Sequence, residues 1–219
     1  MPEPMKKVRG LLKASHFIPS LIVSSIAFAF GVHFWWEGPA FVIALTVFTG
    51  QLVVGWSNDL YDFTDDQKHQ RLNKPLVSGV ITEKYLRSWL IFMVPFSFFA
   101  NIFGPLGFKG GLFYWLGIGF GVAYNFYFKF NFLSPLPFAF AFAILPSCIA
   151  ISKDVAPPVW MWLGGALLGC AAHFINVIKD LDQDRASEIK GLPQIVGKKA
   201  SIAIAVLLSL IALAVLLTD

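Results

Sequence analysis

Residues 38–66 read GPAFVIALTVFTGQLVVGWSNDLYDFTDD, an apolar run that ends in a cluster of aspartates. The apolar part is long enough to cross the hydrocarbon core of a bilayer as a helix, which takes about 20 residues. The acidic residues begin where the apolar residues stop. We therefore predict a transmembrane helix that places Asn58, Asp62 and Asp66 at one edge of the membrane.

The same arrangement recurs later in the chain, where residues 158–184 read PVWMWLGGALLGCAAHFINVIKDLDQD. Both copies fit the pattern N-x3-D-x3-D-x8-P-x3-G, and every matched residue is offset by 118 positions. The matched residues are Asn58, Asp62, Asp66, Pro75 and Gly79 in the first copy, and Asn176, Asp180, Asp184, Pro193 and Gly197 in the second. This shared register indicates an internal repeat, with halves at roughly 1–107 and 108–219.

The composition is that of a chain surrounded mainly by lipid. Hydrophobic residues make up 57% of the sequence and charged residues only 14%, whereas soluble domains carry about 25% charged residues. Apolar stretches must be helical in lipid, which offers no partner to a backbone amide. We predict an all-α, polytopic transmembrane bundle that forms a single domain over 1–219. It has about seven helices, at roughly 16–35, 38–57, 85–103, 108–127, 135–152, 158–178 and 200–217.

The basic residues predict the orientation of this bundle. All but two of the 17 Lys and Arg residues fall on one side of the predicted membrane, and the exceptions are Lys109 and Lys153. The positive-inside rule places the richer side in the cytoplasm. We therefore predict an integral protein of the cell membrane, with the N-terminus and both Asp-rich loops cytoplasmic and Asp219 outside. The net charge of +4 follows from this asymmetry and does not indicate a nucleic-acid partner.

The spacing of the acidic residues points to a bound cation. On a helix, residues i, i+4 and i+8 lie on one face, so each copy of the repeat forms a polar stripe. Carboxylates four residues apart repel each other, and the repulsion is relieved by a cation. Oxygen ligands favour Mg²⁺, whose coordination is completed by water and phosphate oxygens. Basic residues follow each stripe and suit a diphosphate: Lys68, Arg71, Lys74, Arg185 and Lys190.

At these residues the sequence resembles the UbiA superfamily of intramembrane prenyltransferases. The family's first motif, NDxxDxxxD, is matched by Asn58, Asp59, Asp62 and Asp66, and its second, DxxxD, by Asp180 and Asp184. The basic segments that follow these motifs in the family resemble Asn73-Lys74-Pro75-Leu76 and Lys190-Gly191-Leu192-Pro193. The resemblance extends over most of the chain, because helix order and motif placement also agree.

The resemblance implies a helical bundle around a central cavity, with the Asp motifs at its cytoplasmic mouth. Family members typically have nine helices, two more than predicted here. Either the protein is naturally short, or an oligomeric partner or membrane lipid is expected to complete the cavity wall. The implied activity is transfer of a prenyl group from an isoprenyl diphosphate to a lipophilic acceptor, with Mg²⁺ as cofactor.

The resemblance also implies roles for individual residues. The implied catalytic residues are Asp59, Asp62, Asp66, Asp180 and Asp184. The implied metal ligands are Asn58, Asp62, Asp66, Asp180 and Asp184. The implied diphosphate-binding residues are Asn58, Arg71, Lys74, Tyr124, Lys129, Asn176 and Lys190.

Several alternatives stay open at the level of the sequence. The acceptor is expected to be aromatic and similar to a quinone precursor, but a glycerol-phosphate ether also fits the family. A relative of the family without catalytic activity is a further alternative. Intramembrane carboxylates also occur in transporters. Trp56, Tyr61 and Tyr124 are candidates for stabilising an allylic cation, although packing is the simpler interpretation. For His16 and His173 the sequence favours structural roles.

Overall fold

The structure is a computed structural model that describes residues 2–219, except for the side chain of Arg185. The chain divides into two compact units, Met1–Gly111 and Leu112–Asp219, which are described separately. Within the described part of the chain all regular secondary structure is helical, so the predicted all-α class is confirmed.

The first unit is built around one long helix. Helix α3 packs against α2 on one side and α4 on another, and α1 lies against α2 and α3. Helix α4 begins at a capping residue, because the Thr82 hydroxyl oxygen accepts a hydrogen bond from the Tyr85 backbone N–H at 3.2 Å. The helices of this unit are α1 (Glu3–Ala14), α2 (Phe17–Phe34), α3 (Glu37–Lys68) and α4 (Glu83–Phe103).

The second unit contains the repeat's other copy. Its helix α7 packs against α6 and α9, and the π-helical turn Trp160–Gly164 leads directly into α7. A 3₁₀ turn at Phe128–Phe130 precedes α6. The helices are α5 (Gly107–Phe126, which begins in the first unit), α6 (Leu136–Ile151), α7 (Gly165–Ile178), α8 (Leu181–Ala186) and α9 (Leu192–Thr218).

Five helices of the described chain are long and apolar enough to cross a membrane: Phe17–Phe34, Glu37–Lys68, Glu83–Phe103, Trp160–Ile178 and Leu192–Thr218. Helix α6 is apolar but shorter. Each of the seven predicted helices coincides with a helix of the structure. Two helices of the described residues, α1 and α8, were not predicted, because α1 interleaves basic and apolar residues and α8 has only six residues.

The two copies of the repeat end differently from the prediction of two continuous helical stripes. Helix α3 runs through its whole acidic motif as far as Lys68. Helix α7 ends at Ile178, and the Asp180 N–H bonds to the Val177 carbonyl three residues back, at 2.9 Å. This tighter turn separates α7 from α8, so Asp180 lies in the turn and Asp184 on the next helix.

The repeated glycines have the same backbone geometry in both copies. Gly79 has φ 72° and Gly197 has φ 81°, a region open to glycine but disfavoured for residues with a Cβ. No neighbouring atom lies within 4 Å of the position that a Cβ would take at either residue. Glycine is therefore required by the backbone conformation and not by close packing. At Gly197 it bends α9, and the straight part that follows matches the predicted helix at 200–217.

Candidate active site

The acidic residues of α3 divide into two faces with different burial. Asp59 and Asp66 are seven residues apart, lie on one face, and are each 2% exposed. Asn58 and Asp62 are four residues apart, lie on the adjacent face, and are only half-buried. The pattern predicted one stripe through Asn58, Asp62 and Asp66, whereas the structure places Asp66 with the buried Asp59.

The buried pair of carboxylates holds the basic segment that follows α3. Lys74 donates to the Asp59 Oδ1 atom at 2.6 Å, and its Nζ lies 3.7 Å from Asp66 Oδ2. Arg71 Nη1 lies 2.5 Å from Asp66 Oδ1 and 3.1 Å from Asp65 Oδ2. These ion pairs fold the segment back onto the helix that carries the motif.

The electrostatic balance at Lys74 favours its charged form. Burial alone lowers the pKa of Lys74, but Asp59, Asp66 and Asp62 together outweigh that effect and raise the pKa above its usual value. Asp59 Oδ2 is buried and has no hydrogen-bond partner among the described residues. The cluster therefore keeps a fixed cation beside a carboxylate oxygen that the protein itself does not satisfy.

The half-buried face carries a chain of polar contacts. Asn58 Nδ2 donates to Asp62 Oδ2 at 3.0 Å. On the other side of the same amide, Asn58 Oδ1 lies 3.2 Å from His16 Nε2. His16 also lies 3.7 Å from Asp59 Oδ1. The sequence favoured a structural role for His16, as a polar anchor at one end of the first predicted helix.

The acidic motif of the second unit is more open. Asn176 is exposed on the last turn of α7, and Asp180 and Asp184 are half-buried. Both the backbone and the side chain of Asp184 are held by hydrogen bonds. Its N–H donates to the Asp180 carbonyl at 2.8 Å, and its Oδ2 accepts from Gln194 Nε2 at 2.6 Å. Gln194 was missed because it belongs neither to the repeated pattern nor to the basic residues that follow it. Lys190 is exposed, and the side chain of Arg185 lies outside the described residues.

A buried polar link joins the segment just before α6 to α7 and α9. His173 is 1% exposed, and its Nε2 lies 3.0 Å from Ser134 Oγ. The same hydroxyl oxygen accepts from the Leu192 N–H at 2.9 Å. This link fixes the segment that carries Lys190 and agrees with the structural role favoured for His173. No pattern in the sequence pointed to Ser134.

The remaining predicted residues occupy varied positions. Tyr124 is half-buried and its ring packs edge-on against His173, with ring centroids 5.6 Å apart. Lys129 is only 6% exposed, and its Nζ lies 5.2 Å from the centroid of the Phe130 ring. Trp56 is buried and its indole N–H donates to the Leu11 carbonyl at 2.9 Å, which makes it a packing residue.

Each acidic motif by itself offers Mg²⁺ only part of a coordination shell, which other ligands would have to complete. Among the described side chains, no group of three or more His, Cys, Asp or Glu residues is arranged to hold a metal ion. Carboxylate and amide oxygens are nonetheless the ligands that Mg²⁺ prefers, and this ion normally keeps water and phosphate oxygens in its shell. The unpaired Asp59 Oδ2 and the half-buried Asp62 are compatible with such a shared shell.

Comparison with known proteins identifies the family. The model of the UbiA prenyltransferase family matches residues 17–218. The chain belongs to the UbiA prenyltransferase family. It is therefore an enzyme of the prenyltransferase class, and the resemblance noted in the two acidic motifs is confirmed. A search of curated protein sequences finds no match.

Solved structures share the fold of this UbiA prenyltransferase. A digeranylgeranylglyceryl phosphate synthase superposes with a TM-score of 0.73 at 16% identity, covering 95% of this chain and 76% of that one. A UbiA homologue from Archaeoglobus fulgidus bound to GPP and Mg²⁺ gives 0.71 at 16% identity, with 98% and 76% covered. The same homologue bound to Cd²⁺ gives 0.69 at 15% identity, with 98% and 76% covered. At these identities the likeness concerns the fold.

Proposed function

We propose that this UbiA prenyltransferase transfers a prenyl group from an isoprenyl diphosphate to a lipophilic acceptor in the membrane, in a reaction that requires Mg²⁺. The observation that carries the proposal is the repeated acidic motif, found in a chain of this family with cations after each copy. The A. fulgidus homologue bound to GPP and Mg²⁺ supports the choice of donor and metal.

The contacts favour different roles for the aspartates. Asp62, Asp180 and Asp184 are half-buried, and we assign them as Mg²⁺ ligands. Asp59 and Asp66 are buried against Lys74 and Arg71, which favours a role in fixing those two cations. Under this assignment Asp66 serves the metal site indirectly.

The cations are proposed to bind the diphosphate. A lysine ammonium has three donors and an arginine guanidinium has five, so Lys74 and Arg71 can each bind a carboxylate and a phosphate oxygen at once. Lys190 and Asn176 are exposed beside the second motif and are assigned to the same task. Tyr124 and Lys129 are retained as proposed diphosphate-binding residues on the strength of the family motif alone.

The chemistry follows from these assignments. The donor's C–O bond breaks, the electron pair leaves with the diphosphate, and the allylic carbon bonds to the acceptor, which loses a proton. Mg²⁺, when bound, neutralises charge on the leaving diphosphate. Lys74 and Arg71 stabilise the same charge from fixed positions, which avoids reorganisation during the reaction. Apolar surroundings protect the allylic cation from water.

A pocket in the second unit supports a lipophilic acceptor or chain. Its volume is about 420 Å³, and its lining includes the aromatic side chains of Phe113, Phe120, Phe140 and Trp162. We propose an aromatic acceptor of the quinone-precursor type, which such a lining suits. A glycerol-phosphate ether is the second candidate, because a digeranylgeranylglyceryl phosphate synthase shares the fold.

The orientation in the membrane is also a proposal. The positive-inside rule favours a cytoplasmic N-terminus and cytoplasmic Asp-rich segments in the cell membrane. Within the second unit, the Trp160 N–H donates to Asp219 Oδ2 at 3.1 Å. The C-terminus therefore lies at the opposite end of helix Trp160–Ile178 from the acidic motif, which supports an external Asp219.

Binding of GPP to the purified protein tests the proposal. Wild-type protein is expected to bind GPP with Mg²⁺ and to lose most binding when EDTA removes the metal. Asp62→Ala and Asp180→Ala should each abolish the metal-dependent part. Asp182→Ala is the matched control, because Asp182 is an exposed aspartate of the second motif outside the repeated pattern. Equal binding with and without Mg²⁺, or normal binding by both variants, would refute the proposal.

A second experiment identifies the acceptor class. The protein is reconstituted in lipid nanodiscs with Mg²⁺ and GPP, and one hydroxylated aromatic acceptor and one glycerol-phosphate ether are supplied separately. Prenylated product from the aromatic acceptor alone supports the first candidate. Product from the ether alone overturns it in favour of the second. The oligomeric state is measured on the same preparation.

A further inference from the structure

His16 has an unusual backbone conformation at a short corner between α1 and α2. Its φ is 52°, in the left-handed region that few residues other than glycine adopt. Such conformations are unfavourable and persist only where the surroundings impose them, often at functional sites. At residue 16 this conformation determines where the His16 side chain lies.

The corner is fixed against α3 immediately before the acidic motif. A Cβ at Gly55 would lie 2.5 Å from the Ser15 carbonyl oxygen, so only glycine allows the two backbones to approach so closely. The neighbouring Trp56 donates to the Leu11 carbonyl. The backbone at residue 16 is therefore held directly beside the first turn of the motif.

The hydrogen bonds define the direction of the Asn58 amide. Asn58 Nδ2 donates to Asp62 Oδ2 at 3.0 Å, because the NH₂ group is the donor of an amide side chain. Asn58 Oδ1 then faces His16, and His16 Nε2 must carry a hydrogen to bond with it at 3.2 Å. The hydrogen bonds run in one direction, from His16 to Asn58 and from Asn58 to Asp62.

We propose that His16 is a positioning residue that acts through Asn58 to hold the Asp62 carboxylate in the orientation that binds Mg²⁺ and diphosphate. The proposal rests on the proposed function and adds a residue from outside both acidic motifs. Hydrogen bonds from outer residues orient ligating carboxylates in metal sites, and their loss typically lowers metal affinity or activity 10- to 100-fold. Asn58 then serves chiefly to orient Asp62.

The test measures the Mg²⁺ concentration that gives half-maximal GPP binding. His16→Asn retains a residue that tolerates the left-handed region, but its shorter side chain does not reach Asn58. It should raise the half-saturating Mg²⁺ concentration by about 10-fold. His16→Gln restores an N–H donor at similar reach and should recover most of the loss. His33→Gln, at the other end of α2, is the control and should match wild type.

A double-mutant cycle separates positioning through Asn58 from general support of the fold. In an Asn58→Ala background, His16→Asn should cause no further change in the half-saturating Mg²⁺ concentration, because the intermediate group is already absent. An equal change in both backgrounds, or no change from His16→Asn alone, would overturn the proposal. If wild-type protein binds no GPP with Mg²⁺, the proposed function is refuted. If wild-type protein binds GPP but His16→Asn leaves the half-saturating Mg²⁺ concentration unchanged, only the positioning role is refuted.

Discussion

Asp59 and Asp62 belong to the same motif, yet their replacement by asparagine should affect different properties. Asp59→Asn should mainly reduce stability, and Asp62→Asn should mainly reduce metal-dependent binding. Asp59 is 2% exposed and bonds to Lys74 at 2.6 Å, while the Lys74 side chain is 23% exposed. Removing one partner of a buried ion pair costs about 3–5 kcal/mol. We take the lower end, about 3 kcal/mol, because water reaches part of Lys74 and screens the charge that is left.

Replacing Asp62 by asparagine should lower the free energy of unfolding much less. Asp62 is half-buried and accepts a hydrogen bond from Asn58. Loss of a single hydrogen bond costs about 0.5–1.5 kcal/mol, and asparagine at position 62 can still accept one. For a chain of this size about 1 kcal/mol shifts the Tm by roughly 2–4 °C. Asp59→Asn should therefore lower the Tm by roughly 6–12 °C, and Asp62→Asn by less than about 4 °C.

The assay combines thermal unfolding in detergent with Mg²⁺-dependent GPP binding below the unfolding transition. Asp62→Asn should stay folded and lose metal-dependent binding. Asp59→Asn should unfold at a lower temperature than wild type. A Lys74→Met substitution in that background should restore part of the Tm, because it removes the unpaired cation. Equal Tm losses for the two aspartates, or an unchanged Tm for Asp59→Asn, would refute the division of the motif into two faces.

Three further predictions concern the supporting structure. Gly79→Ala should lower the free energy of unfolding by about 1–2 kcal/mol, because φ is 72° there. Gly119 lies in the interior of α5, and a Cβ there would meet no atom within 4 Å. Gly119→Ala should therefore leave the free energy of unfolding unchanged or raise it slightly. Ser134→Ala should cost about 1–3 kcal/mol by leaving buried polar groups unpaired, as measured by thermal unfolding. Gln194→Ala should raise the half-saturating Mg²⁺ concentration by about 10-fold, because it releases Asp184, with little change in Tm.

Each of these predictions has a contrary outcome. Equal effects of the two glycine substitutions would show that backbone conformation is not what selects glycine at position 79. Ser209→Ala is the control for the buried serine, since its hydroxyl bonds only to a carbonyl of its own helix. A Gln194 variant with normal Mg²⁺ dependence would show that its hydrogen bond does not position Asp184.

The helices and the family motifs were predictable from the sequence, because both depend on local pattern. Long apolar runs must be helical in lipid, and an acidic repeat offset by 118 residues is visible without a structure. Helix α1 was missed because its apolar residues are interrupted by Lys6, Lys7, Arg9 and Lys13, so no continuous apolar run marks it. His16 and Ser134 were missed because their partners lie far away in the sequence.

The roles within the first motif show why spacing alone was insufficient. An i, i+4, i+8 rule groups Asn58, Asp62 and Asp66, but each step of four residues turns the helix by about 40°. After two steps Asp66 points about 80° away from Asn58 and lies within about 20° of Asp59. Asp59 and Asp66 then share a face, and the basic segment covers that face through Lys74. The drift of the helix thus separates Asp59 and Asp66, which hold the basic segment, from Asp62, which we propose as a metal ligand.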